Sequence, residues 1–305
     1  MQIEGGSAGP EESMSLDKRL HAYRDDLAEI ALEGRVAAAR FTEGERGRIT
    51  AAVAPLRRQP RPGAPLDTEL LFGEDVTVLD RADGWAWIKS SRDGYVGYVP
   101  SSAVGPEGPP VTHRMAALRG FVFPRPDLKA PPVMTVHLES RLSIIGESGR
   151  YSELAGGGYI YGDYLRPIDQ VESDPIAVAL TFMHAPYLWG GRSSLGLDCS
   201  ALVQLSWQAC GIDCPRDTDM QFDRFGTLLN YDGDENSLRR GDLVFWKGHI
   251  GIWIDQHRFL HSNASDMKVA MAPLSVTADR IESKGEGPIT GIRRPPMPAK
   301  AGAAA

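Results

Sequence analysis

A cysteine at the end of a glycine-rich loop is the first residue in this chain that could do covalent chemistry. Cys199 follows WGGRSSLGLD and opens the apolar run CSALVQLSWQAC, which is typical of a buried helix. A helix N-terminus carries partial positive charge and unpaired N–H groups, so we expect the pKa of this thiol to be lowered. The glycines Gly190, Gly191 and Gly196 would let a ligand approach closely. The alternative is an inert, buried cysteine.

Two histidines are placed so that they could complete a nucleophilic site with this cysteine. A nucleophilic thiol needs a general base, and the base needs a group that orients it. His249 begins the run HIGIWID and His261 ends the run RFLH, so an antiparallel hairpin would bring them together. We expect His249 to hydrogen-bond Cys199 while His261 fixes the tautomer of His249. The alternative is two surface histidines at strand ends, and His257, in the turn, is expected to be exposed and inert.

The elements that must position these residues follow from local patterns. Residues 175–186 and 199–210 carry apolar side chains at helical spacing. The runs GDLVFW, HIGIWID and RFLHSN are short and apolar and are separated by turns, which is typical of antiparallel strands. Helices followed by an antiparallel sheet indicate an α+β domain.

The sequence pattern before this region predicts small β-sheet units preceded by an N-terminal arm. Residues 16–33 have near-helical, partly extended spacing, and we expect them to pack on the rest of the protein. The offset between two similar sets of strand-like segments is about 65 residues, which indicates an internal duplication of a small β-barrel. The segments are 74–80, 85–90 and 94–100 in the first set, and 141–148, 149–154 and 157–165 in the second.

Composition and charge exclude several classes of function. The 305 residues include 33 Lys and Arg against 40 Asp and Glu, a net charge of −7, so the chain lacks the basic footprint of a nucleic-acid-binding protein. No apolar run approaches the ~18 to 20 residues of a membrane span, and no basic segment followed by an apolar one begins the chain, so we expect a cytoplasmic protein. Three cysteines without a CxxC and seven histidines without an HExxH predict no disulfide framework, no metal site and no cofactor.

The motifs around the cysteine and the histidines resemble the NlpC/P60 family of cysteine peptidases. The segments PYLWGG, DCSALV, GIDCPRDT, GDLVFW, HIGIWI and FLHS occur in the family's order and at its spacing within residues 172–296. Two positions depart from the family's pattern. Ala201 replaces a glycine, and Cys214 replaces an apolar residue, which favours structural roles for Cys210 and Cys214.

The resemblance implies a papain-like catalytic domain with Cys199 as nucleophile, His249 as base and His261 as the orienting residue. It implies an oxyanion held near the backbone N–H of Cys199, with a further donor from the Tyr187 hydroxyl. Neither a metal nor a cofactor enters this chemistry.

The two β-sheet units resemble bacterial SH3 domains, modules that accompany cell-wall hydrolases, through their "DGW-x-W" and "GY-x-G-x-V" strands. The predicted architecture is α+β, with two small SH3-like β-barrels ahead of the catalytic domain. The predicted boundaries are a partly disordered arm at 1–46, SH3-like domains at 47–106 and 112–169, the NlpC/P60 domain at 172–296 and a disordered tail at 297–305.

This arrangement resembles the γ-D-glutamyl-L-diamino-acid endopeptidases of the dipeptidyl-peptidase VI type. The resemblance implies hydrolysis of the γ-D-Glu–diamino-acid bond in peptidoglycan stem peptides, L-Ala-γ-D-Glu-diamino acid, with a free N-terminal L-Ala, in murein peptide recycling. The first SH3-like domain would close one end of the cleft, and carboxylates would meet the ammonium there. The residues implied to bind substrate are Tyr95, Tyr187, Asp198, Ser200, Asp217 and Thr218, with either Asp67 or Glu69 as a further acid.

Structural roles are the alternatives at several of these positions. Asp198 and Asp217 could instead cap helices or turns, and Tyr95 could instead pack inside a barrel. For the whole chain, the alternatives are a related papain-like amidase and a wall-fragment-binding protein with little activity.

Overall fold

The computed structural model describes residues 16–299 of the chain. The predicted disorder at residues 1–14, and that of the tail beyond residue 299, lies outside the described residues. No helix within residues 16–299 is long and apolar enough to cross a membrane.

The N-terminal arm runs along the first β-sheet unit as turns and short extended pieces. Leu27 is buried in one apolar cluster with Trp87 and Val96 of that unit. The arm packs on the rest of the protein, as expected for residues 16–33. Of the near-helical, partly extended spacing, the structure realises the extended part, because the apolar side chains pack against the neighbouring sheet and not along one helix face. The arm's elements are β1 (Ala28–Glu29), a 3₁₀ turn (Ile30–Leu32) and β2 (Phe41–Thr42).

The first β-sheet unit is a seven-stranded antiparallel sheet. Its strands are β3 (Glu45–Ile49), β4 (Val53–Arg57), β5 (Leu66–Leu71), β6 (Asp75–Ala82), β7 (Trp85–Ser90), β8 (Val96–Pro100) and β9 (Val104–Pro106). They lie in the order β5-β4-β8-β7-β6-β3-β9. Val76 and Val78 alternate with polar neighbours along β6, so both enter the core beside Ile88. The sheet ends at β5 and β9, and the predicted closed barrel is not found within residues 16–299.

The second β-sheet unit repeats the strand order of the first. Its strands are β10 (His113–Met115), β11 (Arg119–Phe123), β12 (Met134–His137), β13 (Arg141–Leu142), β14 (Ile144–Ser148), β15 (Tyr151–Leu154), β16 (Tyr159–Tyr161) and β17 (Leu165–Pro167). They form two sheets, β12-β11-β16-β15-β14 and β13-β10-β17. If β13 and β14 are two halves of one strand, this order matches the first unit strand for strand, as a duplication requires. The assignment of this unit as an SH3-like barrel stays a prediction.

The remaining region combines helices with a six-stranded sheet in the order β20-β25-β21-β22-β23-β24. Its helices are α1 (Pro175–Thr181), α2 (Cys199–Gln208), α3 (Thr218–Arg224) and α4 (Leu274–Ser283). Its strands are β18 (Arg192–Ser193), β19 (Gly196–Leu197), β20 (Thr227–Leu229), β21 (Leu243–Trp246), β22 (His249–Asp255), β23 (Arg258–Asn263), β24 (Lys268–Pro273) and β25 (Gly291–Arg294). Leu202 and Leu205 of α2 share one core with Ile250 and Leu260 of the sheet. The predicted helices and strands around the cysteine and the histidines are confirmed, with α1 ending five residues earlier than predicted.

Buried charge and close backbone packing hold the first unit against the loop that precedes α2. Arg192 pairs with Glu74, and both side chains are 1% exposed. The backbone N–H of Arg192 donates to Glu69 Oε2 at 2.9 Å. Gly190 has φ of +73°, and a Cβ there would lie 2.6 Å from the carbonyl oxygen of Leu66. This glycine therefore accommodates the protein's own strand β5, whereas the sequence had suggested room for a ligand.

Candidate active site

The candidate nucleophile is the first residue of helix α2, where the chain enters from the loop. Cys199 is nearly buried, and its sulfur lies 3.7 Å from the Thr218 hydroxyl of α3. The backbone N–H of Ile250 in β22 also donates to this sulfur, which places the start of that strand beside the thiol. Within residues 16–299 the backbone N–H of Cys199 has no hydrogen-bond acceptor, as expected for the first turn of a helix, so it is free to hold an oxyanion.

The surroundings of the thiol raise its pKa. Burial, followed by the negative charge of Asp198, raises the pKa of Cys199 to about 11. The Thr218 hydroxyl, the Ile250 N–H and the Arg216 guanidinium act in the opposite direction without cancelling this effect. The lowered pKa expected at a helix start is therefore wrong, because burial of the sulfur, reinforced by the charge of the capping Asp198 carboxylate, outweighs the helix dipole. At neutral pH the resting group is the thiol, so its proton must leave during the attack.

The two predicted histidines form a hydrogen-bonded pair. Strands β22 and β23 run antiparallel, and His249 Nε2 lies 2.9 Å from His261 Nδ1. The amide of Asn263 contacts the other nitrogen of His261 at 3.2 Å, so both ring nitrogens of His261 are held. Burial lowers the pKa of His249 to about 4 and, with help from His249 and Arg280, that of His261 to about 2. Both rings are neutral at pH 7, as a base and its orienting partner should be.

The predicted hydrogen bond between thiol and base is not formed within residues 16–299. His249 uses Nε2 for His261, which leaves Nδ1 as the nitrogen able to take the proton of Cys199. Hydrogen bonds of this kind are often long in a free enzyme and shorten once the substrate is bound.

A cleft of about 920 Å³ opens over the thiol. One end is lined by the first β-sheet unit and the N-terminal arm, and the rest by the helices and by the turn before β22. All six residues predicted to bind substrate line this cleft: Tyr95, Tyr187, Asp198, Ser200, Asp217 and Thr218.

Asp198 is engaged within the protein. Its side chain caps α2 by accepting from the backbone N–H of Ala201 at 2.8 Å and from Gly190 at 3.0 Å. The buried Arg216 donates to both of its oxygens, at 2.9 and 2.7 Å, and also to the Ser200 hydroxyl at 2.9 Å. These contacts favour the capping alternative for Asp198, and the aspartate acts chiefly by fixing the helix start that carries Cys199.

Asp217 behaves differently, although it also precedes a helix. Its side chain makes no capping hydrogen bond to α3. Instead Oδ2 accepts from the Tyr95 hydroxyl at 3.0 Å and from Arg19 at 2.8 Å. Burial raises the pKa of Asp217, and the charges of Arg216 and Arg19 and the Tyr95 hydroxyl oppose that rise. Sequence reasoning missed Arg19, because nothing in the local pattern of the arm indicates which side chain reaches the cleft.

The structure separates the two candidate acids of the first unit. Asp67 lines the cleft and pairs with Arg58 at 2.8 Å. Glu69 lies behind it with one oxygen on the Arg192 N–H, and it does not line the cleft. Tyr187 lines the cleft near the thiol, and its hydroxyl has no hydrogen-bond partner among the described residues.

The other two cysteines lie in the apolar core, consistent with structural roles. Cys210 and Cys214 are buried, and burial raises the pKa of Cys210 to about 12. Among residues 16–299 no group of three or more His, Cys, Asp or Glu side chains is arranged to hold a metal ion.

Comparison with known proteins matches two parts of the chain to family models. Residues 184–280 match the model of the NlpC/P60 family. The chain carries an NlpC/P60 domain. Residues 56–104 match the model described as the bacterial dipeptidyl-peptidase Sh3 domain. The resemblance of the NlpC/P60 domain to a peptidase is therefore confirmed, together with one of the two predicted SH3 units.

Two curated relatives and one solved structure span most of the chain. A γ-D-glutamyl-L-lysine dipeptidyl-peptidase of Bacillus cereus is 26% identical over 242 residues, 69% of this chain and 71% of the relative. Dipeptidyl-peptidase 6 of Lysinibacillus sphaericus is 22% identical over 245 residues, 72% of this chain and 89% of the relative. The crystal structure of an NlpC/P60 family protein from Bacillus cereus superposes with a TM-score of 0.68 at 21% identity, covering 82% of this chain and 99% of that one. The fold of most of this chain therefore also occurs in a solved structure.

Proposed function

We propose that the chain is a cysteine peptidase that hydrolyses the bond between γ-D-Glu and the diamino acid of peptidoglycan stem peptides. The observation that carries the proposal is the hydrogen-bonded pair of His249 and His261, at the start of the strand whose Ile250 N–H contacts the sulfur of Cys199. Cys199 itself lines a cleft that has aspartates at one end. The names of the γ-D-glutamyl-L-lysine dipeptidyl-peptidase and of dipeptidyl-peptidase 6 support this choice of substrate.

In the proposed reaction the sulfur of Cys199 attacks the γ-carbonyl carbon of D-Glu. His249 takes the thiol proton at Nδ1 as the C–S bond forms, and gives it to the diamino-acid nitrogen as the C–N bond breaks. Water then cleaves the thioester, its proton returns through His249 to the sulfur, and L-Ala-D-Glu leaves. His261 holds the ring of His249, and the Cys199 N–H and the Tyr187 hydroxyl are the donors for the oxyanion.

Two aspartates at one end of the cleft, Asp67 and Asp217, support a requirement for a free N-terminal amine. The carboxylates of Asp217 and Asp67 would compensate the positive charge of an L-Ala ammonium bound there, and the Tyr95 hydroxyl orients Asp217. Ser200 and Thr218 also line the cleft, and the Thr218 hydroxyl lies 3.7 Å from the sulfur of Cys199. Such a specificity confines the enzyme to peptides already released from the glycan, which is the chemistry of murein peptide recycling.

The decisive experiment compares L-Ala-γ-D-Glu-diaminopimelate, the equivalent lysine tripeptide and their N-acetylated forms, with products identified by mass. Losing a charge-assisted contact costs roughly 1.5–3 kcal/mol, so the acetylated peptides should be turned over at least about tenfold less efficiently. Cys199→Ala serves as the inactive control.

Three results would contradict parts of the proposal. Equal turnover of free and acetylated peptides would remove the free-amine requirement. Cleavage at another amide would favour the related amidase. Tight binding of the peptides without hydrolysis would favour the wall-fragment-binding alternative.

A further inference from the structure

The end of the cleft beside the first β-sheet unit contains an arginine of the N-terminal arm, Arg19. This residue is not among the predicted site residues. Arg19 Nη1 donates to Asp217 Oδ2 at 2.8 Å. Its two terminal nitrogens donate to the two oxygens of Asp219 at 3.0 and 2.7 Å, and its Nε and Nη2 reach Asp17 at 3.1 and 2.8 Å. Every nitrogen of the guanidinium is therefore used, which fixes its position at the cleft end.

Arg19 lines a second cavity as well as the cleft. This second cavity measures about 590 Å³ and shares part of its lining with the cleft. The shared residues are Arg19, Arg58, Asp67, Tyr95 and Asp219. Because Arg19 belongs to both linings, we expect a shorter side chain at this position to enlarge the end of the cleft toward that space.

One carboxylate oxygen at this end is left for a cation. Arg19 pairs with Asp17, Asp217 and Asp219, while Arg58, paired with Asp67, and Arg61 also line this end. Asp217 Oδ2 is occupied by Arg19 and Tyr95, and within residues 16–299 no donor contacts its Oδ1. Burial of Asp217 favours its protonated form, and Arg19, together with Arg216 and Tyr95, opposes that effect.

We infer that Arg19 is a specificity-determining residue for the substrate's N-terminus. It holds Asp217 Oδ2 by a hydrogen bond, so that Oδ1 remains for an ammonium, and its side chain occupies the end of the cleft where an acyl group on that nitrogen would have to fit. The inference rests on the proposed function, since it names the part of the chain that enforces the free amine.

The test compares Arg19→Ala with Arg24→Ala in the full chain. Arg24 belongs to the same arm and pairs with Asp80 and Asp26 away from the cleft, so its loss perturbs the arm without touching the site. For Arg19→Ala the ratio of kcat/KM for the free tripeptide to that for the N-acetylated tripeptide should fall by about tenfold or more. Most of the change should be a higher KM for the free peptide with kcat nearly constant.

The pH profile separates this role from a merely structural one. Without Arg19 the pKa of Asp217 rises further. When the solution is acidified, KM for the free tripeptide should therefore begin to increase at a higher pH in Arg19→Ala than in the wild type. Arg24→Ala should follow the wild-type profile. Arg19→Lys retains the positive charge but loses the planar guanidinium with its several donors, so we expect an intermediate ratio of the two kcat/KM values. This variant also allows the inference to be tested if Arg19→Ala folds poorly.

Several outcomes would overturn the inference. An unchanged ratio in Arg19→Ala would show that the residue does not set specificity. A lower KM for the free tripeptide would show that Arg19 competes with the ammonium. If the wild-type enzyme turns over neither peptide, both the proposed function and this inference are refuted. If the wild-type enzyme prefers the free peptide and Arg19→Ala behaves like Arg24→Ala, this inference alone is refuted.

Discussion

Replacing Arg192 with methionine tests how the first β-sheet unit is held against the cleft. The guanidinium pairs with Glu74, and its Nε donates to the carbonyl oxygen of Glu69 at 2.8 Å. Methionine has a similar length and leaves the backbone N–H contact intact. Removing one partner of a buried pair costs about 3–5 kcal/mol, because the other charge stays buried without compensation. Arg92 still contacts Glu74 at 2.7 Å, so we expect the lower end, about 3 kcal/mol.

The assay is urea denaturation followed by circular dichroism, with Arg46→Met as the matched control. Arg46 lies in the same sheet, and its pair with Glu107 is mostly exposed, with side chains 82% and 50% accessible. At an m-value of about 2 kcal/mol per molar, the Arg192 variant should lose about 1.5 M of urea midpoint, and the control should move by less than about 0.5 M. Equal midpoints for the two variants would show that the buried pair does not secure this interface.

The remaining predictions concern the catalytic groups. Cys199→Ala should abolish hydrolysis while the thermal melt stays near that of the wild type, and residual hydrolysis would refute its assignment as nucleophile. His249→Ala should be nearly as damaging in kcat, His261→Ala less so and His257→Ala close to neutral, since only the first moves the proton. Because burial lowers the pKa of His249 to about 4, kcat should hold down to about pH 5 and fall as the ring protonates below pH 4; a loss already complete at pH 6 would contradict a neutral buried base. Iodoacetamide should label Cys199 before Cys210, faster as the pH rises toward the thiol pKa of about 11, whereas a rate constant that is flat above pH 7 would indicate a lowered pKa.

Local pattern predicted most of the elements that carry the catalytic residues. The helix that begins at Cys199 and the strands that bear His249 and His261 follow from short-range periodicity and turn residues, which do not depend on distant contacts. The meeting of the two histidines also follows from sequence, because a hairpin fixes which strand ends are neighbours. The secondary structure of the N-terminal arm was predicted less accurately, because its apolar side chains pack against a sheet that local spacing does not reveal.

Charge and orientation at the substrate end were decided only by the tertiary structure. Arg19 and Tyr95 reach Asp217 from 198 and 122 residues away, and no local pattern encodes such a meeting. Asp67 and Glu69 lie two apart and would share one face of a regular strand, but the pairing of β4 with β5 shifts register between Leu56 and Arg57. A bulge of this kind re-aims a side chain, and here Asp67 lines the cleft while Glu69 turns to the buried Arg192.

The charge state of the nucleophile is the clearest case of a property set by the whole fold. The sequence determined that Cys199 begins a helix, and a helix start alone lowers a thiol pKa. The sequence also places Asp198 directly before Cys199, but only the folded chain determined how deeply the sulfur is buried. Burial has the largest effect on this pKa, and it depends on groups assembled from across the chain, so the direction of the shift could not be determined from the residues around the cysteine.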